Sequence, residues 1–573
     1  MRILILDGDS SAGCAILQSL GAAGYECWLA ACGTDHAAFT SRYVARAAVY
    51  PNPLSDKSAF QRWALDFHQQ HRFALIIPPT EATLIPLHEA RDEPGFADVL
   101  ALPPPRAVEL GFDKEQVRAL AASLGIATPP NLLIHNASEL KSPAIEEWLK
   151  DTAVVIKPIR SKIWSGRGAS EPRVQIATSQ KELHEFVEPI VLLTPVQLQP
   201  WVPGKGNSIE LLVNRDEVSM SFAHERIHEL PLTGGGSSYR KAIAPPPALL
   251  EGSAKLMRAL EWHGVAMVEY RCDDASDRHW LMEINGRFWG SLHLPLFAGV
   301  DFPNGLVDLL VHHRVPLPQK TPVRNGVYAR NVSRDLDWIK AILKSRYSDR
   351  FLLRRPLPES LLEWARVLSG KETWDGARLC DPKPILYELK TRLQHEVKNV
   401  GRIARRFGLL HRERLRSRSQ RRWIAGKRRV LVLCYGNICR SPYAEVTTAS
   451  RSKLADIELR SSGFFPVPGR KTPEIFQGLA RQRGIDLSAH RSRLIDKKDL
   501  LWADVIVLMD QKNFEALREF DRKSLSKVVW LGAFDASGPL EIADPYDQPI
   551  SVVETILDRM DRCLEVLAQT ISS

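Results

Sequence analysis

Two stretches of this 573-residue sequence carry residue types spaced for chemistry. The first is VLVLCYGNICRSPYAE, residues 430–445, which sets Cys434 and Arg440 six positions apart. That spacing decides nothing alone, because a chain with eight cysteines produces it by chance. Cys272 and Arg278 in CDDASDR form such an accidental pair. Their loop carries three aspartates and no glycine, so it would repel a phosphate and disfavour a thiolate. Around Cys434 the context differs. RVLVL reads as a strand that delivers the cysteine to a loop, and Gly436 permits a tight turn with amides directed inward at an anion. Ser441 and Pro442 suit the N-cap and first position of a following helix. A phosphate dianion would then rest on loop N–H groups, a helix N-terminus and the Arg440 fork. The same field favours Cys434 as a thiolate nucleophile.

The second stretch is dispersed. Lys157 follows four apolar residues in AVVIKPI, and a charge in such a strand needs a partner. Lys114 lies in GFDK; taken alone, either lysine reads as a solvated surface residue. WSGRGAS offers Gly166 and Gly168, able to fold over phosphates. Glu283 and Asn285 in LMEINGR are two apart on a strand and so face one side. With Glu269 of MVEYRC they make an all-oxygen set suited to magnesium, and Arg287 is the next residue on that face. Salt-bridged structure is the alternative for these acids. Neither a G-x-x-x-x-G-K-[ST] loop nor a protein-kinase motif set is present.

The elements that must position these residues are legible in outline. MRILIL, a glycine turn, a helix and a second strand open the chain, and FALIIPP adds another strand, which predicts a doubly wound α/β unit. Gly8 and Gly13 do not make a G-x-G-x-x-G dinucleotide fingerprint. AVVIKPI, PVQLQPWV, SIELLV, VAMVEYRC and HWLMEIN read as further strands interleaved with helices to about residue 320. Beyond them Leu386, Leu389, Leu393, Val397, Val400, Ile403, Phe407 and Leu410 recur every three or four residues, a helical stripe expected to pack on a domain or another helix.

With 44% hydrophobic and 25% charged residues, the composition is that of a globular, soluble chain. No apolar run approaches the ~18 residues of a membrane span. The N-terminus meets Asp7 and Asp9 too early for a signal peptide. The cysteines (14, 27, 32, 272, 380, 434, 439, 563) are scattered, which in a long chain points to a reducing compartment and a cytoplasmic location. The net charge of +10 is uneven. Residues 390–429 hold fifteen Lys or Arg against Glu396 and Glu413, a local +13, so the remainder sums to −3. That segment reads as a solvated face or linker, or as a site for an anionic membrane surface. A nucleic-acid partner is disfavoured, since Trp423 stands alone without interleaved base-stacking aromatics.

Residues 429–573 resemble a low-molecular-weight protein tyrosine phosphatase. Its loop, C-x-G-N-x-C-R-S-P, is matched at Cys434, Gly436, Asn437, Cys439, Arg440, Ser441 and Pro442. The resemblance implies a cysteinyl-phosphate intermediate and no cofactor. Ser441 would support the thiolate, Asn437 would brace the loop, and Asp510 in VIVLMD would be a loop-supporting carboxylate. IADPYDQP supplies the family's distal acid as Asp544, with Tyr546 as a candidate pocket wall. Ile438 matches the phosphotyrosine type, where Thr would indicate phosphoarginine, and Asp547 stands where relatives carry Gly or Tyr. Cys439 is a candidate redox partner of Cys434, or else a small buried residue. An arsenate reductase on this fold would need resolving cysteines beyond Cys563.

Residues 1–320 resemble the ATP-grasp superfamily of carboxylate–amine ligases. This implies ATP and magnesium, with Lys114 and Lys157 on the phosphates and Gly166 and Gly168 in the lid. Gln199, Trp201 and Val202 of QPWVPG match the adenine hinge, and Glu210 would contact the ribose. Glu269, Glu283 and Asn285 would hold the metal, and Arg287 the transferring phosphoryl group.

The expected fold class is multidomain α/β. It comprises an α/β pre-ATP-grasp domain (1–110), an ATP-grasp α+β domain (111–324), a mostly helical basic connector (325–428) and a parallel-sheet phosphatase domain (429–573). The expected function is bifunctional: hydrolysis of a phosphotyrosine protein or a phosphorylated small molecule, and ligation of an unidentified carboxylate to an amine. The alternative is a regulatory tyrosine phosphatase whose front part only senses ATP or serves as a scaffold.

Overall fold

The computed structural model describes residues 1–165, 168–215, 217–316, 322–345, 351–352, 355–419, 421–450, 457–535, 538–548 and 550–572. The chain divides into two compact units, Met1–Gln394 and His395–Ser573.

The first unit opens with β1 (Arg2–Ile5), α1 (Ser11–Ala22), β2 (Glu26–Ala31), β3 (Val44–Val49) and β4 (Leu75–Ile77). The strands form a parallel sheet in the order β3-β2-β1-β4. The apolar runs of β1, β2 and β4 are buried on both faces, as a doubly covered parallel sheet requires, and β3 is the exposed edge strand. Gly13 has a packing role in α1: a Cβ there would lie 2.6 Å from the Asp7 carbonyl oxygen. Next come α2 (Lys114–Ser123), β5 (Leu132–Ile134), β6 (Val154–Pro158), β7 (Gln175–Ala177) and β8 (Val196–Pro200), the strands pairing antiparallel as β5-β8-β6-β7.

A larger sheet contains β9 (Lys205–Asn214), β10 (Glu217–Leu230), β11 (Gly236–Ile243), β12 (Gly264–Asp273), β13 (Arg278–Asn285), β14 (Tyr328–Arg330) and β15 (Glu372–Trp374). Its order is β13-β12-β9-β10-β11-β14-β15. The last two strands interrupt residues 325–428, a segment that is otherwise mostly helical, as expected. Buried Arg330 donates to Glu372 (2.8 Å) and pairs with Asp335, which ties β14 and β15 to the helix Val332–Lys344. Three-residue strands held by buried charge carry too little apolar periodicity to be read from sequence.

The helix α3 spans Lys383–Ser419. In the second unit its Leu409 and Leu410 pack against a core that includes Leu431 and Trp530, and Glu413 and Ser417 are buried. The stripe is not covered throughout. Leu386, Leu393, Val397, Val400, Ile403 and Phe407 are exposed, against the expectation that they pack. β16 (Arg429–Cys434), α4 (Arg440–Ser450), β17 (Glu458–Gly463), β18 (Val505–Leu508), α5 (Gln511–Phe520), β19 (Val528–Trp530) and α6 (Ile550–Ser572) complete the unit. The sheet is parallel, ordered β17-β16-β18-β19, and β16 ends at Cys434.

Candidate functional site

The loop between β16 and α4 turns on Asn437, a non-glycine residue with φ of 50°. An asparagine tolerates that conformation, and here its amide fixes it. Nδ2 donates to Ser441 Oγ (3.0 Å) and Ser461 Oγ (2.9 Å), while Oδ1 accepts from Arg493 N (2.7 Å). Its backbone N–H points at Cys434 Sγ (3.2 Å), and its carbonyl oxygen meets His490 Nε2 at 2.8 Å. Because Asn437 Nδ2 occupies a lone pair of Ser441 Oγ, the serine proton is left for Cys434 Sγ, 3.0 Å away. A thiolate at Cys434 would thus receive two hydrogen bonds in a buried setting. Ser441, expected at the N-cap, instead lies one residue inside α4, which begins at Arg440.

Arg440 is buried. Its Nη1 donates to Asp510 Oδ2 (2.5 Å) and to the Ile542 carbonyl (3.0 Å), and its Nη2 pairs with Asp544 Oδ2 at 2.8 Å. Burial works against its charge, but Cys434, Asp510 and Asp544 outweigh burial and hold the guanidinium pKa above its ordinary value. Its Nε–H is buried without a protein partner, a donor free for an incoming anion. Asp510 is also the N-cap of α5, accepting from Asn513 N (2.9 Å). Asp544 is half exposed. Tyr546 is exposed beside it. Burial first, then the negative charge of Cys434 and Asp544, pushes the Cys439 thiol pKa up, so this second cysteine stays protonated.

Sequence reasoning missed several supports of this loop. His490, Arg493 and Ser461 brace Asn437, and Arg470 donates to the Gly436 carbonyl (2.6 Å). SAHRSR, residues 488–493, carries no spacing relation to the loop, so only the fold brings it there. Arg406 of α3 was also missed. It pairs with Glu541 (2.6 Å), whose other oxygen accepts from Gln511 N (2.9 Å). Arg402, Ile403, Arg406, Lys512 and Asp544 line a groove of about 870 Å³ at this place.

In the first unit, two cavities meet at Lys114 and Glu283. One, of about 640 Å³, is lined by Lys157, Gln199, Trp201, Val202, Glu269 and Met282 among others. The other, of about 760 Å³, contains Ser10, Glu81, Asn285 and Arg287. β12 and β13 set Glu269 directly opposite Glu283. Glu269 pairs with Arg226 (2.5 Å) and accepts from Asn285 Nδ2 (2.9 Å); Asn285 Oδ1 accepts from Arg287 Nη2 (3.0 Å). Burial raises the Glu283 pKa, but Lys114, Lys157, Arg226 and Arg287 outweigh it and hold the carboxyl below its usual range. Lys114 donates to Ser161 Oγ (2.9 Å) and lies 3.9 Å from Glu283.

Gly168 has φ of 104°, and a Cβ there would lie 2.9 Å from the Leu54 carbonyl oxygen, so only glycine fits. Gly166 lies outside the described residues. Glu210 is not brought to either cavity, which corrects the expected ribose contact. It points into the buried face of β9, where its carboxyl is 2.5 Å from His224 Nδ1 and burial raises its pKa. Arg226 and Met282 are cavity residues that sequence reasoning missed.

Burial lowers the Lys157 pKa to about 8, with Glu283 opposing the shift. At pH 8 this amine is half free, whereas an ordinary lysine near ~10.4 is almost wholly protonated, about a hundredfold difference in free amine. Lys157 is therefore expected to be the first lysine acylated by a limiting amine reagent at pH 8, with ATP protecting it; peptide mapping reads the result. The sign for stability follows. Between about 8 and 10.4 the unfolded chain holds a proton that the folded chain has released, so this group's contribution to stability rises with pH across that window.

Residues 429–573 match the family model for low molecular weight phosphotyrosine protein phosphatase, and residues 193–334 match that for ATP-grasp in the biosynthetic pathway with Ter operon. Among curated relatives, a human low molecular weight phosphotyrosine protein phosphatase is 34% identical over 146 residues, 23% of this chain and 89% of that protein. A protein-arginine-phosphatase of Geobacillus stearothermophilus is 28% identical over 145 residues, 25% of this chain and 97% of that one. Among solved structures, an L-amino acid ligase from Bacillus licheniformis is similar over 54% of this chain and 74% of its own, at 17% identity and a TM-score of 0.41.

Proposed function

We propose a reaction for each part from one premise: through residues 429–573 the chain belongs to the low molecular weight phosphotyrosine protein phosphatase family, and it carries an ATP-grasp domain ahead of them. In the second unit the reaction is hydrolysis of a phosphate monoester, with phosphotyrosine on a protein as the leading substrate and a phosphorylated small molecule as the other. The observation that carries this is Cys434 Sγ between the Ser441 hydroxyl and the Asn437 N–H, beside an Arg440 that pairs with Asp544. The Cys434 thiolate attacks phosphorus while the bond to the ester oxygen breaks, and Asp544 gives that oxygen its proton. The Asp544 carboxylate then takes a proton from water, whose oxygen attacks the cysteinyl phosphate and releases phosphate and thiolate. Arg440 and the loop amides hold the equatorial oxygens throughout. Ile438 favours phosphotyrosine over phosphoarginine, the substrate class in the name of the Geobacillus relative.

Asp544→Asn tests the acid. Its turnover of phenyl phosphate, a poor leaving group, is expected to fall about 10²–10⁴-fold. Turnover of p-nitrophenyl phosphate should fall far less. Equal loss on both esters would remove Asp544 from the role. Comparing phosphotyrosine peptides, phosphoarginine peptides and small esters on the full-length chain tests the substrate class.

In the first unit the proposed reaction joins a carboxylate to an amine through an acyl phosphate. Lys157, Gln199, Trp201 and Val202 would hold ATP in the cavity of about 640 Å³. Glu269, Glu283 and Asn285 offer only oxygen and amide donors on facing strands, a set that fits magnesium. Bound there, the ion would neutralise phosphate charge. The substrate carboxylate would attack the γ-phosphorus from the neighbouring cavity, with Lys114 and Arg287 stabilising the charge that moves. The amine then displaces phosphate from the acyl carbon. The domain boundaries 1–110, 111–324, 325–428 and 429–573 stand as part of this proposal, with Leu409 and Leu410 of α3 packing against the phosphatase core.

A further inference from the structure

The helix α3 carries a feature that neither reaction uses. Leu386, Leu393, Val400 and Phe407 are seven residues apart, a spacing that drifts only ~20° around a helix at each step. With Val397 between them they make one apolar stripe. It is open to solvent: these side chains are 58%, 65%, 64%, 75% and 62% exposed in that order. Scattered exposed apolar residues are ordinary, but five aligned on one helix face mark an interaction surface. The 15 residues from Leu393 to Phe407 cover roughly 22 Å of helix.

The charge around the stripe selects the occupant. Residues 390–429 hold fifteen basic residues and two acidic ones. Of the two acids, Glu413 is buried near Arg416 and cannot offset the exposed cations. Among the described residues, Lys390, Lys398, Arg405 and Arg412 pair with no carboxylate. A second copy of the chain would bring the same +13 against the stripe and be repelled. A nucleic acid would satisfy the cations but leave the leucine, valines and phenylalanine in water. An anionic lipid surface satisfies both, with acyl chains for the stripe and headgroup charge for the flanking Lys and Arg. The stripe occupies one face of the helix, so the contact is lateral; no helix among the described residues is long and apolar enough to cross a membrane.

We propose that α3 is an interfacial helix that lays the Leu393–Phe407 stripe on an anionic bilayer surface and holds the chain there. The test is sedimentation of the full-length protein with vesicles, read beside p-nitrophenyl phosphate turnover as a check on folding. Partition onto vesicles of 30% phosphatidylglycerol in phosphatidylcholine should exceed that onto pure phosphatidylcholine at least tenfold, and should drop steeply between about 0.1 and 0.5 M salt. The triple variant Leu393→Gln, Val400→Gln, Phe407→Gln should lose at least tenfold in partition while its turnover stays unchanged. The charge variant Lys390→Gln, Lys398→Gln, Arg405→Gln, Arg412→Gln should lose binding in the same way.

Four results would overturn the proposal. One is equal partition onto both vesicle types. Another is unchanged vesicle binding by the triple variant. The third is a dimer, seen by light scattering, that the triple variant dissolves, which would give the stripe to a second copy. Retention on heparin with no vesicle binding would count against it too, since a polyanion without acyl chains would then suffice.

Discussion

Replacing Cys434 by serine in the full-length chain is expected to abolish hydrolysis of p-nitrophenyl phosphate, a loss of about a millionfold, the scale on which enzymes depend on a covalent nucleophile. The substitution changes one atom at a position that is 3% exposed, so the loop should keep its shape. What disappears is the thiolate nucleophile of the proposed mechanism. A serine hydroxyl does not ionise near neutral pH, and the Ser441 and Asn437 donors that hold a thiolate have no charge left to hold. Phosphate and vanadate should therefore still bind, because Arg440 and the loop amides remain. Cys439→Ser is the matched control. Burial and the nearby negative charge keep that thiol protonated, so turnover should stay within a fewfold of the parent. Activity of Cys434→Ser within tenfold of the parent would refute the nucleophile. Loss of both turnover and vanadate binding would instead report a collapsed loop.

The two sites were legible to different depths, and the reason is chain separation. In the phosphatase loop the nucleophile, glycine, asparagine and arginine lie within seven consecutive residues, so the strand, turn and helix that hold them are written in one line of sequence. The partners that set their orientation, His490 and Arg493, enter from more than fifty residues away with no marker of their own. In the first unit the site residues come from separate elements: Lys114 from α2, Lys157 from β6, Gln199 from β8, Glu269 from β12, and Glu283 and Asn285 from β13. Alternation predicted that Glu283 and Asn285 share a face, but not that Arg226 would take one oxygen of Glu269. Glu210 shows the same limit in reverse. Its strand parity is compatible with the cavity face, yet it sits far enough along β9 to be buried against His224. The short strands β14 and β15 were invisible because Arg330 and Glu372, rather than an apolar pattern, hold them. The stripe on α3 was plain in the sequence; its exposure was not, since period alone does not say what covers a face.

Arg287→Met should separate phosphoryl transfer from nucleotide binding in the first unit. With a productive pair of carboxylate and amine, magnesium and ATP, release of ADP is expected to fall about 10³–10⁵-fold, the range for an arginine that stabilises a transferring phosphoryl group. ATP affinity, measured by equilibrium dialysis, should change only a fewfold. The geometry gives the reason. Arg287 lines the cavity with Glu81 and Asn285, whereas Lys157, Gln199 and Trp201 line the other; Lys114 and Glu283 belong to both. A phosphoryl group passing between the cavities would meet Arg287 only as it leaves the nucleotide. The side chain is already aimed, its Nη2 tied to Asn285 and 3.6 Å from Glu81, and its buried Nε–H has no protein partner. Such a donor contributes most where charge develops in a site closed to water. Methionine keeps the apolar stem and removes the donors, so packing around Phe288 should survive. If ATP binding falls in step with ADP release, Arg287 is a ground-state nucleotide contact and the division between the cavities is wrong. If ADP release is untouched, the acceptor lies elsewhere. If the parent binds ATP yet turns over no pair of substrates, the front part is a nucleotide sensor for the phosphatase, and Arg287→Met should then alter phosphatase regulation by ATP rather than ADP release.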